Sequence, residues 1–201
     1  MSEIFFTSDL HFGHKNLLKF TKPRPFTTIE EHDQALINNW NSVVNQKDTV
    51  YVLGDIAMSM DPDKLEDYLK KLNGHKRLIL GNHDRSKLHA RYLNAGLWES
   101  MREYESVKLT DKSGRIYECI LFHYPILEPN HVFCKPQVGK IGPTCHFYGH
   151  IHCMNNYDEI YQQLGFRAAH VGLDTADKYP NTKPFTPINF EDLLTWFDEN
   201  F

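Results

Sequence analysis

Short apolar runs, each closed by a polar or glycine-bearing turn, recur along this chain. Ile4-Phe5-Phe6 precedes Asp9, Val50-Tyr51-Val52-Leu53 precedes Gly54-Asp55, and Leu78-Ile79-Leu80 precedes Gly81-Asn82-His83-Asp84. Ile120-Leu121-Phe122 precedes His123, and His146-Phe147-Tyr148 precedes Gly149-His150-Ile151-His152. Runs this short, bounded by turn residues, predict buried strands. Helical spacing takes over between the early runs. Thr28 and Glu31 make a capping-box pattern, and Ile29, Leu36, Trp40, Val43 and Val44 form the apolar stripe behind it. Asp61 reads as an N-cap with Pro62 in the first turn, Leu65, Tyr68, Leu69 and Leu72 as a buried face, and Asn73-Gly74 as the stop. This alternation up to residue 95 predicts βαβ units with parallel pairing.

The second half has a different rhythm. Residues 107–110 and 115–122 flank the turn Asp111-Lys112-Ser113-Gly114, which predicts a β-hairpin ending on His123. Further strands are expected over 144–149 and 168–174. A last helix over 190–197 places Leu193, Leu194 and Phe197 on one face. Residues 124–143 contain Pro125, Pro129, Pro136 and Pro143 and no clear period. They predict a long loop, either facing substrate or making a surface excursion.

Composition narrows the classes. A chain of 201 residues, 41% hydrophobic, fits one domain over 1–201 with a proper core. No stretch approaches the roughly 18 apolar residues of a membrane span. The start Met1-Ser2-Glu3-Ile4 lacks the basic region and cleavage site of a signal peptide, so the cytoplasm is expected and a membrane is not. A net charge of −4 argues against extended nucleic acid as a partner. The local basic groups Lys19, Lys22 and Arg24, and Lys70, Lys71, Lys76 and Arg77, read as solvated faces. Cys119, Cys134, Cys145 and Cys153 form no Cys-x-x-Cys and read as free thiols.

The polar segments carry the chemistry. If the strands share a sheet direction, their carboxyl ends converge at the edge where open α/β sheets bind ligands. Asp9/His11 and His150/His152 stand two apart, which in extended backbone points both side chains the same way. Gly54, Gly81 and Gly149 allow sharp turns and close backbone approach. Acid, amide and imidazole groups in this set supply nearly all the ligands two adjacent divalent cations need.

The ordered set Asp-x-His, Gly-Asp, Gly-Asn-His-Asp, a lone His and Gly-His-x-His, over residues 9 to 152, resembles the signature of the calcineurin-like metallophosphoesterases. The start Asp9-Leu10-His11-Phe12-Gly13-His14 is similar to the small bacterial and phage members. The resemblance implies an α/β fold, a four-layer αββα sandwich of two mixed sheets flanked by helices. It implies Asp9, His11, Asp55 and His152 around a first metal and Asp55, Asn82, His123 and His150 around a second, with Asp55 bridging. Mn²⁺ or Fe comes foremost, and Zn²⁺, Ni²⁺ or Co²⁺ also suit such ligands. Two divalent cations less two carboxylates leave a site of about +2, which attracts a phosphate ester. Attack by metal-bound hydroxide follows from the lowered pKa of bound water.

By the same resemblance His83 is the general acid that protonates the leaving oxygen, with Asp84 accepting its hydrogen bond. On the substrate side, Arg85 could grip a phosphate oxygen or pair on the following helix. Arg24 could reach the pocket mouth from a proline-flanked loop, and His14 and Asn16 could line the site. His146 and His170 are expected to pack. The expected function is hydrolysis of a phosphomonoester or phosphodiester, a small nucleotide or cyclic nucleotide being favoured because no cap domain is evident. The alternative is a phosphoesterase-fold scaffold that binds protein with little catalysis, against which the intact ligand set counts.

Overall fold

The apolar runs become strands because both their faces are buried. β1 (Ile4–Thr7), β2 (Thr49–Val52) and β3 (His75–Ile79) pair in parallel, joined by β4 (Ser100–Arg102) beyond β3. The short β9 (Ile188–Asn189) adds antiparallel to β1, giving the order β4-β3-β2-β1-β9. The predicted hairpin is β5 (Tyr104–Thr110) with β6 (Ile116–Phe122). It continues in parallel into β7 (Cys145–Tyr148) and β8 (Arg167–His170). Both sheets are therefore mixed. The computed structural model describes residues 2–19, 23–84, 89–127, 142–152 and 157–201. Lys22, Arg85, Cys134, Cys153 and most of the predicted 124–143 loop lie outside the described residues.

Alternate side chains of each strand go to different layers. Phe6, Tyr51, Leu53 and Ile79 of the first sheet meet Leu109, Cys119, Leu121 and Phe147 of the second in the central core. On the outer face of the first sheet, Phe5, Val50, Val52 and Leu78 pack against α1 (Ile29–Val43), α2 (Pro62–Lys71) and α3 (His89–Asn94). On the outer face of the second, Tyr148 and Ala168 meet Tyr161 of α4 (Tyr157–Leu164). The order of layers is helix, sheet, sheet, helix, as expected. α5 (Phe190–Asn200) closes one side of the central core with Leu193, Leu194 and Phe197.

The caps follow the sequence with small changes. Thr28 accepts from Glu31 N, but the Glu31 carboxylate reaches back to Thr27 N rather than to the cap itself. Asp61 caps α2, with Pro62 at its start. The strand expected over 168–174 stops at His170, and Leu173–Lys178 turn into a 3-10 helix. Cys119 and Cys145 are buried free thiols in adjacent strands. Among the described residues no helix is long and apolar enough to cross a membrane.

Candidate metal centre

The loops leaving β1 and β2 run side by side. Asp9 N donates to Gly54 O at 3.0 Å, His11 N to Asp55 O at 2.9 Å, and Phe12 N to Ile56 O at 2.9 Å. Within this lacing Asp9, His11 and Asp55 have φ of 58°, 52° and 56°, and His150 and His152 have 72° and 49°. The i, i+2 pairs are thus left-handed and not extended as predicted, so the turn and not strand alternation sets their direction. Asp and His are among the few non-glycine residues that tolerate this region. Gly54 has φ 91° and lies so near His123 that an added Cβ would stand 2.5 Å from its Nδ1. Gly81 and Gly149 serve close approach alone: a Cβ there would collide with Asp55 Oδ1 and with Ser8 Oγ.

These turns bring the predicted ligands together. The Nε2 atoms of His11 and His152 face each other at 3.2 Å. Asp9 Oδ1 lies 3.9 Å from the first and 4.0 Å from the second. Two donors about 2.1 Å from one cation at a tetrahedral angle sit about 3.4 Å apart, so the spacing is that of ligands around a single ion. Asp55, His123 and His150 form a second such cluster. Asp55 Oδ2 is 3.5 Å from His123 Nε2 and 3.7 Å from His11 Nε2, so one carboxylate oxygen faces both groups. Asn82 Oδ1 approaches His123 Nε2 at 3.1 Å. The two clusters fit a dinuclear divalent-cation site. The outer ring nitrogens agree: His152 Nδ1 is 2.6 Å from Asp174 Oδ2, and His123 Nδ1 is 2.6 Å from Leu53 O. A proton donated there leaves each Nε2 lone pair for the interior.

The electrostatics suit cation binding. Burial opposes ionisation of Asp9, yet the imidazoles of His170, His152 and His123 more than offset it and hold its pKa below the carboxylate range. Asp55 is lowered in the same way, its burial outweighed chiefly by His123. Burial pushes His11 down to about 3, against the pull of Asp9 and Asp55. His11 is therefore neutral at ordinary pH, and a neutral imidazole is the form that ligates. Burial also lowers His150. His152 is raised, because its bond to Asp174 overcomes burial.

The remaining predicted residues divide. The His83 side chain is 35% exposed, with Nε2 4.0 Å from Asp55 Oδ2, and its backbone N donates to Asp55 Oδ1. Asp84 does not serve that ring. Its Oδ2 accepts from Gly81 N and Asp55 N, and its Oδ1 from Ile56 N, at 2.7, 2.9 and 3.0 Å. Asp84 therefore ties the two metal-side turns together. Arg24 does not reach the mouth. It is 3% exposed and saturated by Asp174, Asp9 O, Leu10 O and His32. His14 is half-buried, its ring 5.3 Å from that of His11, and Asn16 is exposed in the 3-10 turn Lys15–Leu18. Arg85 lies outside the described residues.

His170 is buried with Nε2 3.8 Å from Asp9 Oδ2, so it borders the site as well as packing. His146 is buried away from the clusters, between Ile120 O and Ile126 N. Sequence reasoning missed Asp174 and Tyr124. Asp174 follows β8 and Gly172, the same strand-end signal used for the other ligands. Tyr124, 36% exposed, sets its ring 4.6 Å from that of His150 and directly follows His123.

Comparison with known proteins places this geometry. The family model for calcineurin-like phosphoesterases matches residues 2–154. The chain is 44% identical over 190 residues to the Gene 66 protein of Mycobacterium phage L5, covering 87% of each. It is 45% identical over 86 residues to an uncharacterized protein of Methanocaldococcus jannaschii, spanning 42% of this chain and about half, 48%, of that protein. A crystal structure of a protein of unknown function from Aquifex aeolicus shares the fold, with a TM-score of 0.69 and 20% identity over 98% of this chain and 100% of that one.

Proposed function

The chain belongs to the calcineurin-like phosphoesterase family, and from that premise we propose that it hydrolyses a phosphomonoester or phosphodiester at a dinuclear centre. The proposed ligands are Asp9, His11, Asp55 and His152 for one cation and Asp55, Asn82, His123 and His150 for the other. The observation that carries the reading is the single Asp55 oxygen facing both clusters, at 3.7 Å from His11 and 3.5 Å from His123. Divalent cations held there, Mn²⁺ or Fe foremost, supply charge against the phosphoryl oxygens and lower the pKa of bound water towards ~7.

The protein's own groups do the rest. The loop lacing and the glycine contacts hold the donors in place before a cation arrives. His83, half-exposed at the edge of the centre, is the proposed general acid, giving its proton to the departing oxygen. Asp84 keeps the His83 turn seated on the Asp55 turn. The partial exposure of His83 and His152 supports an open site and a small substrate such as a nucleotide or cyclic nucleotide. The net charge of −4 fits a small substrate better than a nucleic-acid backbone, and in the predicted basic group Lys70 pairs with Glu66 and Arg77 with Glu99.

The test is release of nitrophenol from p-nitrophenyl phosphate and bis-p-nitrophenyl phosphate by protein stripped of metal and then reloaded with Mn²⁺. Turnover restored by Mn²⁺ on either ester is the expected result, and the ratio of the two rates assigns mono- or diesterase preference. Protein that binds Mn²⁺ and cleaves neither ester would sink the reading in favour of the scaffold.

A further inference from the structure

All five N–H donors of one buried guanidinium are used within a few ångströms of the first cluster. Arg24 Nε and Nη2 grip Asp174 Oδ1 and Oδ2 at 2.8 and 2.9 Å. Its Nη2 also donates to Asp9 O at 2.6 Å, and Nη1 to Leu10 O at 3.0 Å and to His32 Nε2 at 2.9 Å. An arginine has five such donors in a rigid plane, so nothing is left for a substrate.

Each of these contacts leads to a proposed ligand of the first metal. Asp9 and Leu10 are the carbonyls on either side of the left-handed turn that presents Asp9 and His11. Asp174 holds Nδ1 of His152, at 2.6 Å. His32 in turn meets Asp33 at 2.8 Å, and Asp33 receives Gly13 N, just after His11. Among the described residues no guanidinium backs the second cluster: His123 rests on a neutral carbonyl, Leu53 O, and the Asp55 and Gly81 turns rest on the Asp84 carboxylate.

We propose that Arg24 is the positioning residue of the first metal site, acting through Asp174 on His152 and through the Asp9 and Leu10 carbonyls on Asp9 and His11. This rests on the dinuclear reading above. The two cations are then held by differently built walls, and damage to Arg24 or Asp174 falls on one of them. Lysine at 24 keeps the charge but is a single ammonium and cannot span four acceptor groups. Asparagine at 174 keeps the shape but weakens the anchor of His152. Loss of an outer partner of a ligating histidine lowers metal affinity about 10–100-fold.

The experiment is a calorimetric titration of metal-free wild type, Arg24→Lys and Asp174→Asn with Mn²⁺, with the two binding events assigned by His152→Ala and His150→Ala. Co²⁺ absorption spectra of the same proteins report the ligand field, and circular dichroism reports the fold. The expected result is a folded Asp174→Asn protein in which the His152-dependent event weakens about 10–100-fold, the His150-dependent event keeps its affinity, and the Co²⁺ spectrum of the first site changes. Arg24→Lys should do the same where it folds. Wild-type affinity at both sites in Asp174→Asn, or equal weakening at both, overturns the proposal while the dinuclear reading stands. A wild type that takes up no second ion overturns both.

Discussion

Replacing His146 with glutamine should remove about 2 kcal/mol of the acid sensitivity of this fold between pH 7 and pH 5. His146 is completely buried between β6 and the chain that follows His123. Its Nδ1 faces Ile120 O at 3.2 Å, and its Nε2 receives Ile126 N at 3.2 Å. That second bond exists only for the neutral ring, since a protonated Nε2 is a donor facing a donor. Burial accordingly drives the pKa from 6.5 to about 4, against the backbone bonds that favour the charge. The unfolded chain takes up this proton near pH 6.5 and the folded protein only near pH 4. Between those values the unfolded state holds more protons. The stabilisation is complete above pH 6.5 and is lost as pH falls towards 4.

From pH 7 to pH 5 this one group should remove about 2 kcal/mol, at about 1.4 kcal/mol for each tenfold change in proton activity. That is a substantial share of a typical 5–15 kcal/mol stability. Glutamine retains a donor and an acceptor but cannot titrate. Urea unfolding of metal-free wild type and His146→Gln at pH 7 and pH 5 isolates the effect, because the other groups are shared. Wild type should lose about 2 kcal/mol more than the variant. Equal losses in the two proteins would refute the linkage. Protonation of His146 removes the bond to Ile126 N, two residues from Tyr124, while the Tyr161 hydroxyl still donates to Ile126 O.

Gly149→Ala should lower stability by about 1–3 kcal/mol, because the new methyl meets Ser8 Oγ, itself fixed by its bond to Leu53 O, and stands 2.8 Å from Asp9 Oδ2. Elemental analysis should also show less than the wild-type metal content, and a protein with unchanged melting temperature and full metal would contradict the packing. His83→Gln should cut turnover about 10²–10⁴-fold while leaving metal content intact, as measured by nitrophenol release and elemental analysis on one preparation. Loss of metal in that variant would mean His83 is a ligand and not the acid.

The sequence announced the parts of the fold whose signals are local. The runs behind Asp9, Asp55 and Asn82 are short, apolar and alternate with helical stretches, the pattern of parallel strands. α1, α2 and α5 carry long stripes, and their caps at Thr28 and Asp61 are side-chain bonds within four residues. β4 and β9 are different: three and two residues long, they exist because β3 and β1 offer them edges. α4 hid behind its tyrosines, since Tyr157 meets Tyr148 edge-on and Tyr161 meets it at a tilt. The end of β8 was overrun because Val171 continues its apolar run although Gly172 already turns the chain.

The site divides along the same line. The proposed ligand positions were legible because each needs only a strand end and a small turn, both written within a few residues. The roles of Arg24 and Asp84 were not, because a charged side chain declares its partner only in space. Arg24 meets Asp174 across 150 residues, and Asp84 meets the Asp55 and Ile56 amides across 29 and 28. Arg24 is expected at the pocket mouth because charge near a phosphate site invites that reading, and the family resemblance puts Asp84 on the His83 ring. The left-handed backbone explains why the protein uses them otherwise. Asp9, His11 and Asp55 occupy conformations that cost of order 1–3 kcal/mol each and persist only when their surroundings over-determine them. Asp84 supplies acceptors to the amides of Asp55 and Ile56, and Arg24 supplies donors to the carbonyls of Asp9 and Leu10. Two charges that seemed available for catalysis are therefore consumed in holding the backbone where the ligands must stand.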